Sequence, residues 1–166
     1  MAYQTMELNA VEISFDRERT KLHRTIYNEP CDCQECRNFY QYIVGNMELV
    51  SFLSSFGVDY DHAEEVMSFD VGDDADSQIH HVAYYAVFGR VEKEIKLEYD
   101  QFGVDITFEK AATGPYDRTA INTDREDPYF WIIVETVAPY VLDEKRDVPE
   151  SYFQKFKRYI KSLFKL

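Results

Sequence analysis

The chain is 166 residues long, the length of one domain, with 45% apolar and 30% charged residues. That is an ordinary globular balance, unlike a disordered, collagenous or helical membrane-spanning polypeptide. With 31 acids against 18 bases the net charge is -13, which argues against bulk attraction to nucleic acid or to an anionic membrane, so neither is an expected partner.

The first residues have neither a basic start nor an apolar run, so no secretory leader is expected and the expected location is the cytoplasm. Val11, Ile13 and Phe15 alternate with Glu12 and Ser14, the period of a half-buried strand. Met6 and Leu8 alternate one residue out of phase, which predicts a bulge at Asn9-Ala10. Residues 16–24 are densely charged, with Leu22 the single large apolar side chain, and read as a connector or an exposed helix.

Asp32, with Glu35 three residues on, has the form of a capping box and opens a helix over 33–44. Its apolar face is Cys36, Phe39, Tyr40, Ile43 and Val44, and Gly45 is expected to end it in the left-handed conformation. Asn46 caps a second helix over 47–56, with Leu49, Val50, Phe52, Leu53 and Phe56 apolar and Gly57 as the stop. Both helices are expected to pack on the sheet through Phe39, Ile43, Leu49 and Phe52. Asp61 and Glu64 repeat the capping spacing and predict a short third helix over 62–67.

Beyond an acidic stretch at 70–77 the period changes. Residues 82–87 are almost continuously apolar, like a central strand covered on both faces. Ile95, Leu97 and Tyr99, then Val104, Ile106 and Phe108, alternate with polar residues and predict a hairpin turning at 100–103. A polar loop over 110–128, longer than most connections, precedes another long strand at 129–137. Asp147 and Pro149 open a last helix, over 149–164, with Tyr152, Phe153, Phe156, Tyr159, Ile160, Leu163 and Phe164 in one stripe. It is expected to dock along the sheet with Lys155, Lys157, Arg158, Lys161 and Lys165 outward. The order predicts a single α+β domain over 1–166: a mostly antiparallel sheet, a helical pair after the first strand, and a C-terminal amphipathic helix packed on the sheet.

The chemistry-bearing constellation is Cys31, Cys33 and Cys36. Zinc takes four ligands, usually thiolate or imidazole, and a C-x-x-C step lets two thiolates converge on one ion. Cys33 and Cys36 supply that step with Cys31 on the adjoining turn, and His23, His62, His80 or His81 would complete the set. A helix N-terminus also stabilises a thiolate, which makes a redox pair the second reading. Reduced thiols that simply pack, with Cys36 in the core, are the third. His80 and His81 are neighbours on a strand and so point to opposite faces. Asp70, Asp73, Asp74 and Asp76 lack the order of a calcium loop, with Gly72 misplaced, and read as a solvated turn. No phosphate-binding glycine loop, nucleophile elbow or H-E-x-x-H motif is present.

The block Cys31-x-Cys33-x-x-Cys36-Arg37-Asn38-Phe39, followed by Glu48-Leu49-Val50-Ser51-Phe52-Leu53 and Phe56-Gly57-Val58-Asp59, resembles an uncharacterised family of small bacterial cytosolic proteins. A Tyr-rich strand ending in Gly, here at 84–89, belongs to the same pattern, and the resemblance spans residues 28–90. It implies no assigned activity and supplies no catalytic residue. The expected function is a non-enzymatic acidic domain that binds a protein partner, a basic one, in the manner of an inhibitor or immunity protein. The cysteine block, with a structural zinc, would be its staple. The alternative is a thiol- or metal-dependent enzyme or redox sensor centred on Cys31, Cys33 and Cys36.

Overall fold

A computed structural model describes residues 3–27, 31–71, 78–98, 102–111 and 128–147, the side chains of 23–27 excepted. The N-terminal alternation produces two strands, β1 (Gln4–Leu8) and β2 (Val11–Phe15), paired antiparallel with Leu8 opposite Val11. Asn9 and Ala10 join them with φ of 50° and 60°. A two-residue loop with both φ positive matches the right-handed twist of the flanking strands. The phase break therefore marks a tight turn and not the expected bulge. An alanine there carries no turn signal in the sequence.

The charged stretch is a helix, α1 (Arg17–Tyr27). Buried Asp16 caps it, its Oδ1 accepting from the Arg19 N–H at 3.0 Å. Thr20 Oγ1 donates to the Asp16 carbonyl at 2.9 Å and accepts from the Phe88 N–H at 3.1 Å, which ties the helix to the sheet.

The helical pair follows as α2 (Gln34–Ile43) and α3 (Met47–Ser55). The capping box at Asp32 does not form. Cys33 holds the cap position without a side-chain bond, and the Asp32 carbonyl instead accepts from Arg37 Nε at 2.9 Å. Gly45 is not among the residues with positive φ, so its left-handed stop is also absent. Asn46 behaves as expected: its Oδ1 accepts from the Leu49 N–H at 3.0 Å, and its Nδ2 donates to the Phe102 carbonyl. Gly57 ends α3 region at φ 83°, where a Cβ would collide with the Arg17 carbonyl oxygen.

The third helix expected at 62–67 is replaced by a strand, β3 (Glu65–Val71). The edge of the long strand β4 (Gln78–Val91) captures it, in a seven-residue antiparallel register from Glu65 opposite Tyr84 to Val71 opposite Gln78. Glu64 does not cap a helix; its Oε2 accepts the Ala86 N–H at 2.8 Å. Further along the same edge, β2 pairs with residues 89–91 of β4. The Glu64 carboxylate thus fills the gap between two strands that share one edge.

Three strands complete the sheet: β5 (Ile95–Leu97), β6 (Asp105–Lys110) and β7 (Tyr129–Ala138). All pairings are antiparallel, in the order β1-β2-β4-β7-β6-β5, with β3 beside β4. The predicted 95–108 hairpin is present, with Leu97 opposite Ile106. The α+β class with a mostly antiparallel sheet is as the sequence implies. Residues 112–127 of the expected loop and 148–166, including the expected C-terminal helix, lie outside the described residues.

The main core lies between one sheet face and the helical pair: Phe39, Ile43, Leu49, Leu53 and Phe56 meet Tyr85, Val87, Phe108, Phe130 and Ile132. Each large apolar side chain buried in this way is worth about 1.5–3 kcal/mol. Phe52 is partly buried, with its ring 4.8 Å from that of Phe102. On the opposite face Val82, Ala86, Trp131 and Ile133 form a second cluster, Tyr84 and Tyr129 meeting Trp131 edge-on. β4 is therefore buried on both sides, as its continuous apolar run requires. Among the described residues, no helix is long and apolar enough to cross a membrane.

Candidate metal centre

The extended backbone of Cys33 (φ -64°, ψ 159°) turns the chain into α2, and it brings the residues before the helix against its first turn. Arg37 holds that approach, its backbone N–H bonded to the Cys33 carbonyl at 3.0 Å while its side chain grips the Asp32 carbonyl. Its Nη2 also meets Glu144 Oε1 at 2.5 Å. In consequence the sulfurs of Cys31, Cys33 and Cys36 lie within 4.8 Å of one another. Cys31 and Cys33 are exposed, whereas Cys36 is buried in the core face of the helix.

The three thiols are not equivalent. Hydrogen bonds from the Cys33 backbone and side chain hold the Cys31 thiol below its ordinary value. Burial pushes Cys36 strongly up, reinforced by its two neighbours. Tyr40, in the same neighbourhood, is also pushed up by burial. Zinc–thiolate bonds of about 2.3 Å in a tetrahedron place sulfurs about 3.8 Å apart, so a small contraction suffices to seat an ion. A metal would remove the protons from all three and offset the burial of charge at Cys36. The donor set and its spacing could therefore hold a metal ion.

The described histidines stand elsewhere. His62 Nδ1 is 2.7 Å from Asp61 Oδ1, and His80 Nε2 is 3.4 Å from Glu135 Oε2. His81 is fully buried among Asn38, Ser68 and Phe39. The structure does not bring His62, His80 or His81 into the sulfur group, and the side chain of His23 is outside the described residues. His80 and His81 do point to opposite faces, as neighbouring strand residues must. Cys31 opens instead onto a cleft of about 480 Å³ that Arg37, Tyr40, Tyr60, Asp61 and Leu142 also line.

A second polar group sits behind α2. The Asn38 Oδ1 accepts from the Val141 N–H at 2.7 Å, and its Nδ2 donates to the Pro139 carbonyl at 3.2 Å. This fixes the amide so that Nδ2 also donates to His81 Nε2, at 3.2 Å. His81 must then carry its proton on Nδ1 and give it to Ser68 Oγ, 2.8 Å away. Burial, with Arg146 and His80 adding to it, lowers His81 to about 4. It is a neutral donor to Ser68, the reverse of a base that would activate a hydroxyl. Asp70 is exposed, as expected, but lies in β3 and not in a turn, and it pairs with Arg146, while Asp73, Asp74 and Asp76 are outside the described residues.

No protein-family model matches the chain, and neither a curated protein nor a solved structure matches it.

Proposed function

We propose that the chain is a non-enzymatic metal-stapled domain that acts by binding a basic protein. In it Cys31, Cys33 and Cys36 fill three of the four positions of a structural zinc that pins the segment before α2 to the first turn of that helix. The observation that carries the metal half is the approach of three sulfurs to within 4.8 Å. A site of this kind stabilises the fold because the unfolded chain offers no preformed ligand set. The partner half is supported by the net charge of -13, since complementary charge speeds capture of a cationic partner.

Cobalt(II) titration of the reduced chain tests the metal half. One equivalent is expected to bind with the thiolate-to-cobalt absorption of a multi-cysteine site, to be displaced by zinc, and to be lost in Cys33→Ser. Absence of that absorption, with thiol alkylation equally fast with and without zinc, overturns it. Loss of two thiols to disulfide on mild peroxide treatment, again without metal uptake, replaces it with the redox reading.

A further inference from the structure

The strand β3 lies at an edge. It pairs with β4 along one side, and among the described residues nothing pairs with the other. Unpaired N–H and C=O groups along such an edge are a template for another strand, and natural edges are blunted with Lys, Pro or a bulge. The sequence of β3, Glu-Val-Met-Ser-Phe-Asp-Val, contains neither Lys nor Pro. The β5 edge, by contrast, is three residues long and carries Lys96.

The same strand exposes apolar surface. Phe69 is 53% and Val71 48% exposed, and across β4 on the same face Val137 is 40% exposed. Phe69 stands opposite His80, and His80 opposite Val137, so the three strands present one continuous patch. The charge nearest to it is acidic, because the cations of this face, Arg90 and Lys96, stand ten residues along β4 from His80 and on the far strand β5. On this face β3, β7 and β6 contribute Glu65, Glu135, Asp105 and Glu109, with no Lys or Arg. Tyr84, in the middle of the face, is raised first by burial and then by Glu135, Glu109 and Glu65 together.

We propose that the outer edge of β3, with Phe69, Val71 and Val137, takes an extended, positively charged segment of another protein, added as a strand with apolar side chains at alternate positions. Main-chain bonds to β3 would set its register, and its apolar side chains would cover Phe69 and Val71. Its cations, at further alternate positions on that same side of the strand, would answer Glu65 and, across β4, Glu135. A second copy is disfavoured, because it would bring another net charge of -13 and the same acidic rim against this one. The proposal deepens the partner half of the reading above and makes no use of the cysteines.

The test uses the full chain and a fluorescein-labelled peptide in which threonine alternates first with two lysines and then with two valines, so that lysine and valine share one side of the strand. Saturable binding is expected, with amide shifts concentrated on β3, and with at least a tenfold loss of affinity in the double variant Phe69→Lys, Val71→Lys. An unchanged melting curve shows that this variant folds, and Val137→Lys, on a different strand, gives an independent reading with weakened binding expected. Equal binding of the same peptide with glutamate in place of lysine, no binding, or shifts away from β3 overturns the proposal. So does a dimer of the free chain that the double variant dissociates, which would make a second copy the occupant. Because no readout involves metal, failure here leaves the cobalt titration standing, and the reverse also holds.

Discussion

Asn38 Nδ2 donates to His81 Nε2 across 3.2 Å, and that bond fixes the tautomer of a histidine with no exposed surface. Protonation at Nε2 would set two donors against each other. The depressed value of His81, about 4 against an ordinary 6.5, then has a consequence for stability. The unfolded chain takes up this proton more readily than the folded one, so stability rises with pH across the interval. The contribution is complete above pH 6.5 and is lost as pH falls towards 4. It amounts to about 3 kcal/mol. Urea unfolding of wild type and His81→Gln at matched pH isolates it: the wild type should lose that much more than the variant between pH 7 and pH 4.

Replacing Asn38 should cost more than an ordinary helix substitution. Asn38→Ala leaves the Val141 N–H, the Pro139 carbonyl and His81 Nε2 without their partner. The His81 bond is buried and the other two are half-buried, so at about 1–3 kcal/mol for a buried group left unsatisfied a loss of about 2–4 kcal/mol is expected in denaturant unfolding. Asn38→Asp keeps the acceptor for Val141 but offers His81 a carboxylate. Proton titration by NMR should then find His81 raised well above its wild-type value.

The turn between β1 and β2 offers a gain. Ala10, at φ 60°, sits where an L side chain is unfavourable and glycine is not. Ala10→Gly should stabilise the chain by about 1 kcal/mol after allowance for the greater freedom of glycine in the unfolded state. A rise in urea midpoint at unchanged slope is the readout.

The three cysteines should separate in thermal melts. Cys31→Ser alters an exposed residue and is expected to leave the metal-free chain unchanged, while abolishing any zinc-dependent rise in melting temperature. Cys36→Ser introduces a hydroxyl into the core and is expected to lower the metal-free melting temperature as well. For wild type, zinc at a hundredfold excess over its dissociation constant should add about 2.7 kcal/mol.

The elements legible in the sequence are those whose burial is one-sided or complete. Ile13 and Phe15 in β2, the stripe of α2 and the run in β4 each carry one period, and the structure follows it. β3 was not legible. Val66 turns to one face while Met67, Phe69 and Val71 turn to the other, so its apolar residues follow no single period, and the Asp61–Glu64 spacing imitates a cap. What overrides that spacing is the pairing with β4, a long-range effect that local pattern does not carry. The cysteine cluster was legible for the converse reason, since three thiols within six residues of chain can converge without any long-range contact. The bond between Asn38 and His81 joins residues 43 apart, and only the packing of α2 against the sheet reveals it.

The sharing of one β4 edge by β2 and β3 has a bearing on synthesis. The β1–β2 hairpin leaves the ribosome before the residues that receive it, 89–91, which are made only after α1, α2, α3 and β3. Until then β2 has a partner on one side alone, with Ile13 and Phe15 uncovered. An isolated two-stranded hairpin is at best marginally stable in water. The emerging hairpin therefore passes through an interval in which its apolar face is open to chaperones and to neighbouring nascent chains. The interval closes when Gly89 is delivered to Phe15.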